Sequence, residues 1–255
     1  MLPINIFLTL IGVPTSDRPM LRELGRQLTR PDGTMTVEAL RDAADAYLHP
    51  YVEARHADPS GPDLFSRILS VPIGGRPWTF DEARRMCRNL LFGGLDTVAA
   101  AMGFAVLHLA RNPGDQARLR ADPALLPSAV DEFLRRYASV SVTRSVVEEI
   151  AIDGVTLKVG DNVYLPSTLH NLDPERIEAP LEVRLDRGLN PVRHATMGNG
   201  PHRCVGAGLA RMELIAFLRE WLDGVPPFRC DPERPPAMRG GNVGSCTSLH
   251  LLWER

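Results

Sequence analysis

Residues 197–208 read Met197-Gly198-Asn199-Gly200-Pro201-His202-Arg203-Cys204-Val205-Gly206-Ala207-Gly208, a glycine-rich turn that carries one cysteine. Gly198 and Gly200 permit backbone angles that Cβ-bearing residues avoid, so the turn can fold tightly and lie close to a flat ligand. Downstream, Leu209, Met212, Leu214, Ile215, Leu218, Trp221 and Leu222 recur at helical spacing. This predicts a helix that starts beside Cys204. The helix dipole and the unpaired N–H groups of a first turn favour a thiolate, and a thiolate is a metal ligand.

Three other readings compete for this segment. A lone cysteine is most often an inert buried hydrophobe, and a glycine-rich turn before a helix can instead cradle phosphate. The dinucleotide form of that site fails on spacing, because no third glycine follows at the required offset and Asn190-Pro191-Val192-Arg193-His194 makes a poor central strand. A cysteine hydrolase with His202 as base lacks a third group to complete the set. Metal ligation by Cys204 is the reading that uses the whole segment.

At 255 residues and 44% hydrophobic composition, the chain can bury a substantial core. A net charge of −2 provides no general attraction to nucleic acid or to an anionic membrane. Lys158 is the only lysine, so nearly all the positive charge is arginine. Cys87, Cys204, Cys230 and Cys246 lack the short paired spacing of a zinc site or a disulfide scaffold, which fits a reducing cytoplasm. The apolar run from Ile4 to Val13 is too short to span a bilayer and reads as a core helix.

Helical patterning is expected over Asp17 to Leu28, Val37 to Arg55 and Leu64 to Leu69, with turns at Arg30-Pro31-Asp32-Gly33, Asp58-Pro59-Ser60-Gly61-Pro62 and Gly74-Gly75-Arg76-Pro77. Thr79-Phe80-Asp81-Glu82 matches a capping box, and the pattern then runs to Arg111 before Asn112-Pro113 stops it. One unbroken helix there would be about 45–50 Å long. Shorter helices follow at Gln116–Leu119 and Pro127–Tyr137. From Ser145 to Leu165 the apolar period shortens, which predicts small strands turned at Asp153-Gly154 and Gly160-Asp161.

Inside the long helix, Gly93-Gly94-Leu95-Asp96-Thr97 sets two glycines side by side. Each costs about 1 kcal/mol relative to alanine in a helix interior, so the pair needs a reason. Close approach of another helix is one; approach of a ligand, or local opening of the helix beside an acid and a hydroxyl, is another. Thr97 can also simply bond back to the Gly93 carbonyl. Glu132 and Arg135, at i and i+3, are by default a surface ion pair.

The cysteine turn resembles the cysteine-ligand loop of the cytochrome P450 haem-thiolate monooxygenases. Leu28-Thr29-Arg30-Pro31-Asp32-Gly33-Thr34-Met35-Thr36, Arg85-Met86-Cys87, Gly93-Gly94-Leu95-Asp96-Thr97-Val98 and Leu209-Ala210-Arg211 extend the likeness, nearest to the soluble bacterial camphor 5-monooxygenase type. Two positions depart from the pattern, Met197 and Leu185 standing where the family has phenylalanine. The resemblance implies the C-terminal part of a mainly α fold with small β-sheets, residues 1–255 forming a single haem-thiolate domain that begins after the family's N-terminal portion.

It further implies haem b (iron protoporphyrin IX) ligated by Cys204 and O2 as co-substrate, with Met197, Gly198 and Gly206 around the sulfur and Arg144 and His202 on the haem propionates. Asp96 and Thr97 would deliver protons for O2 reduction from the haem face opposite the cysteine. Glu132, Arg135 and Arg184 would support the cysteine loop. Asn89, Leu91, Phe92, Leu95, Val140, Val142 and Val243 would contact a small hydrophobic, terpenoid-like substrate. Phe92 is bulkier than the camphor type's residue, which argues against camphor itself. Electrons would come from a ferredoxin-type donor with its reductase, docked by Arg193, Arg203 and Arg211, with neither nucleic acid nor membrane as partner. The rival reading is a truncated remnant or haem-binding module without turnover.

Overall fold

The computed structural model describes residues 2–188 and 194–253. These form two compact units, Met1–Ala99 and Ala100–Arg255. The expectation for residues 190–192 and for Arg193 falls outside the described residues.

The first unit is helical: α1 Leu2–Leu10, α2 Arg18–Thr29, α3 Val37–Ala57, α4 Leu64–Leu69 and α5 Phe80–Leu95. Ile4, Phe7, Leu8 and Ile11 recur on one face and are buried, as a core helix requires. Leu21, Leu24 and Gly25 form the matching face of α2. Three side chains cap the starts of the next three helices: Thr36 accepts from the Ala39 N–H, Asp63 from that of Ser66, and Thr79 from that of Glu82. The Glu82 carboxylate returns a bond to the Thr79 N–H at 2.9 Å, which completes the expected capping box. Arg55 of α3 donates to the Gly12 carbonyl at 3.0 Å and to Asp63 at 2.8 Å, tying the end of α1 to the start of α4.

The single long helix expected from Thr79 to Arg111 is two helices. Asp96, at φ −134° and ψ −29°, leaves the helical region and separates α5 from α6, Thr97–Arg111. Counted across the break, Phe80–Arg111 is long and apolar enough to cross a membrane, a property that core helices of globular proteins share.

The second unit continues with α7 Pro113–Ala121 and α8 Leu126–Arg136, then β1 Ser141–Ser145, β2 Ile150–Ile152, β3 Val155–Leu157 and β4 Asn162–Pro166. Next come α9 Ser167–Asn171, α10 Ala207–Gly224, β5 Phe228–Cys230, β6 Ala237–Arg239, β7 Ser245–Ser248 and β8 Leu251–Trp253. The strands pair as β1 with β4, β2 with β3, β5 with β8 and β6 with β7, all antiparallel. The β2–β3 hairpin turns at Asp153 and Gly154, both at positive φ, as a two-residue primed turn demands. The fold is mainly α with small two-stranded sheets, as expected.

Candidate functional site: a cysteine loop on a buried ion-pair network

Cys204 is exposed. Its N–H donates to the Met197 carbonyl at 2.7 Å, and its own carbonyl accepts from the Ala207 N–H, the first residue of α10, at 3.3 Å. The loop is thus closed on itself and set at the start of an 18-residue helix. Gly198 and Gly200 sit at φ +69° and +65°, angles at which side chains are strained, and a Cβ at Gly198 would press on the His202 carbonyl at 3.4 Å. A Cβ at Gly206 would lie 3.8 Å from the cysteine sulfur, in ordinary contact. Among the described residues no group of three or more His, Cys, Asp or Glu could hold a metal ion. One exposed sulfur on a glycine-rich turn fits a metal whose other ligands a flat macrocycle would supply. Haem is such a group, and the residues present fit it.

Beneath the loop lies a fully buried pair. Glu132 and Arg135 are both 0% exposed and joined by two hydrogen bonds of 2.8 Å. Arg135 also donates to the carbonyls of Asn171, Pro180 and Glu182 at 3.1, 2.7 and 2.8 Å. Burial alone would push the Glu132 carboxyl up, but bonds from Arg135, the Arg184 N–H and Arg187 outweigh it and hold the group below the usual carboxylate range. The expected third side chain was that of Arg184. It is Arg187 instead: its Nε donates to Glu132 at 3.0 Å, whereas Arg184 contributes only its backbone N–H, also at 3.0 Å. The Arg184 guanidinium turns outward to Glu182 and Glu178.

Asn171 carries this network to the cysteine loop, a role that sequence reading missed. Its side chain donates to the Arg135 carbonyl at 3.1 Å and to Thr196 Oγ1 at 2.8 Å, and it accepts from the Ala195 N–H at 2.7 Å. Thr196 in turn donates to the Leu134 carbonyl at 2.7 Å. The sequence signal was faint: an asparagine just before Leu172-Asp173-Pro174 reads as a turn residue.

In the first unit, Asp96 is held from α2. Arg30 Nη2 donates to Asp96 Oδ1 at 2.7 Å, and Thr29 Oγ1 reaches Oδ2 at 3.3 Å while bonding its own helix at Gly25. Thr97 donates back to the Gly93 carbonyl at 3.0 Å, the local arrangement weighed above. The two glycines have separate reasons. A Cβ at Gly94 would lie 2.5 Å from the Phe7 ring, so Gly94 admits α1, whereas Gly93 faces open space.

The expected substrate contacts divide. Asn89 is exposed and Phe92 half-buried. Leu91 and Leu95 are a correction: one turn apart on α5, they lie in the first unit's core at 0% and 6% exposure, Leu95 packing close against Gly25. In the second unit, Val140 bridges to the buried Val243, and Val142 is on β1 opposite Leu165. Arg144 is exposed on β1, with Nη1 on the Thr143 carbonyl at 3.0 Å, and His202 is exposed at the end of the turn Gly200–His202. Of the expected docking arginines, Arg203 is exposed. Arg211 is not a free surface charge, because it grips the buried Asp131 at 2.7 and 2.6 Å.

The family model for Cytochrome P450 matches residues 34–224. The chain belongs to the cytochrome P450 family. P450 proteins use haem-thiolate iron and O2, which agrees with the fit of the Cys204 loop. A crystal structure of cytochrome P450 CYP101C1 superimposes on all of this P450 chain with a TM-score of 0.88 and 65% identity, the chain covering 64% of that protein. The probable cytochrome P450 127A1 of Sinorhizobium fredii is 34% identical over 249 residues, 98% of this chain and 59% of the relative. A 20-oxo-5-O-mycaminosyltylactone 23-monooxygenase of Streptomyces fradiae is 33% identical over 228 residues, 88% of this chain and 53% of the relative. This P450 chain therefore spans between half and two thirds of the length of the relatives it matches.

Proposed function

We propose that this P450 chain belongs to a haem-dependent monooxygenase that inserts one O2-derived oxygen atom into a small hydrophobic, terpenoid-like molecule. The observation that carries the reading is the exposed Cys204 sulfur at the start of α10, its loop hung through Asn171 on the buried Glu132–Arg135 pair. Haem bound there through the Cys204 thiolate would supply the activation of O2, the sulfur donating electron density to the iron.

The remaining roles belong to side chains. Arg144 and His202 suit the haem propionates, because both donate charge-assisted hydrogen bonds to carboxylates. Asp96, held by Arg30, would connect to the proton supply, and the Thr97 hydroxyl would accept a proton from that side as it gives up its own. For a small hydrophobic molecule, the second unit offers the apolar side chains of Val140 and Val142, and the first unit the apolar Phe92 and the polar Asn89. Arg203, with Arg193 ten residues before it in sequence, would meet an acidic ferredoxin-type donor. We place the protein in the cytoplasm and read residues 1–255 as part of a single haem-thiolate catalytic domain. Its relatives' varied names support the reaction class and leave the substrate to the pocket residues.

Haem-loaded protein should give the red-shifted CO adduct of thiolate ligation, and Cys204→Ala should abolish it. Retention of that spectrum by Cys204→Ala would sink the assignment.

A further inference from the structure

His194 opens the anchored segment that leads into the cysteine loop, and its imidazole is 2% exposed with neither ring nitrogen hydrogen-bonded. A neutral imidazole has one donor and one acceptor to satisfy, so a buried one with no partner is costly and calls for a reason. The segment just after it is bolted down by the Ala195 N–H on Asn171 and by the Thr196 hydroxyl, which accepts from Asn171 and donates to the Leu134 carbonyl. The ring is therefore held under the loop by its neighbours in sequence, not by bonds of its own.

The charges acting on it come from three elements: Asp131 and Arg135 of α8, Arg211 of α10, and Arg203 of the cysteine loop. Asp131 is the one carboxylate among them, and both its oxygens already accept from Arg211. Arg135 is committed to Glu132 and to three carbonyls. A proton on His194 would thus add a cation to a place whose two carboxylates, Glu132 and Asp131, are already paired with guanidiniums. Burial chiefly, with the guanidiniums of Arg135, Arg211 and Arg203 and against the pull of Asp131, depresses the affinity of the ring for a proton.

We propose that His194 is a proton-operated latch on the cysteine loop: neutral, it stays buried and seats Ala195–Met197 on α8 and α9; protonated, it leaves the interior and frees the loop. The proton comes from solvent and adds to a ring nitrogen, with no other bond made or broken. Met197 matters because its carbonyl holds the Cys204 N–H at 2.7 Å, so a loosened Met197 loosens the cysteine turn. The latch acts on the polypeptide alone; only its value to a haem thiolate rests on the proposed function.

Amide hydrogen exchange on the 255-residue chain without haem tests it, read between pH 8 and 5 and corrected for intrinsic exchange. The reporters are the N–H groups of Ala195, Gly198 and Cys204, which donate to Asn171, Ala195 and Met197. Uptake of one proton on release predicts protection that falls by up to about tenfold per pH unit, beginning below the ordinary histidine pKa, while the amides of α3 stay unchanged. His194→Phe and His194→Gln cannot take up the proton, so in either the three amides should hold pH-independent protection. In the parent chain the imidazole nitrogen shifts of His194 should titrate below the ordinary histidine pKa, at the pH where protection of the three amides is finally lost. Unchanged protection in the parent, an equal fall in a folded variant, or an imidazole transition that does not coincide with the loop would overturn the proposal. Where neither variant folds, that coincidence decides. Loss of the thiolate CO spectrum is a separate measurement, so the latch and the haem-thiolate reading fail independently.

Discussion

Arg30, one residue past the end of α2, donates to the Asp96 carboxylate at 2.7 Å, and Asp96 is the residue at which the helical path of α5 ends. The Arg30 and Asp96 side chains are 10% and 21% exposed, so this pair lies between a solvated surface bridge and a dry one. A double-mutant cycle on Arg30→Ala and Asp96→Asn, read by urea unfolding, should return a coupling of about 1–2 kcal/mol, above the range of exposed pairs. A coupling near zero would mean that Arg30 does not hold the carboxylate.

Gly93 and Gly94 should respond in opposite directions. Gly93→Ala adds a Cβ to open space within a helix and should stabilise the protein by about 0.5–1 kcal/mol. Gly94→Ala drives a Cβ into the Phe7 ring and should destabilise by about 1–3 kcal/mol. Thermal melts of the two variants give the signs directly. If Gly93→Ala also lowers turnover in a haem-loaded protein while raising stability, its open side is where a ligand approaches.

The two arginines after Glu182 separate by what they touch. Arg187→Ala removes a guanidinium that serves the buried Glu132 and the Glu178, Ala179 and Glu182 carbonyls, and should cost about 3 kcal/mol, the scale for breaking a buried pair. Arg184→Ala removes only an outward ion pair and leaves the backbone N–H on Glu132, so its unfolding midpoint should match that of the parent. Equal losses in the two would return Arg184 to the network.

His108 offers a pH test in the second unit. It is 5% exposed, with Nδ1 2.8 Å from the Tyr137 hydroxyl and Nε2 2.7 Å from Asp115. The carboxylate takes the Nε2–H, which leaves Nδ1 to accept from the phenol. Burial lowers the proton affinity of the ring in spite of Asp115. The folded state therefore binds fewer protons than the unfolded one just below the ordinary histidine pKa. Stability present above that value should decline as the pH falls, by up to about 1.4 kcal/mol per pH unit for each such group. His194, shifted the same way, adds to the slope. Unfolding free energies of the parent and of His108→Phe from pH 8 to 5 should differ by one proton's worth of slope; identical slopes would show that His108 titrates normally.

Local patterns carried far in this chain because they report chemistry of the backbone itself. Thr79 and Glu82 announced a helix start, Asp153-Gly154 a hairpin, and the glycines around Cys204 a tight turn before α10, each a matter of φ, ψ and the next few residues. The family was legible from the same segments. What residue order alone could not decide was which side chain closes a gap between distant elements. Arg184 and Arg187 stand three apart in an irregular stretch, and only the packed path of residues 178–187 shows which guanidinium points inward. Leu91 and Leu95 look like pocket residues until α1 and α2 occupy that face of α5. The contacts at the break likewise come from afar: Arg30, 66 residues away in sequence, bonds the Asp96 carboxylate, and the Phe7 ring lies against Gly94. Sequence determined most of the elements and the candidate ligand sulfur, because those follow from local torsions and composition. Tertiary structure decided the partners of the buried charges, because an ion pair is set by distances through space that no local pattern encodes.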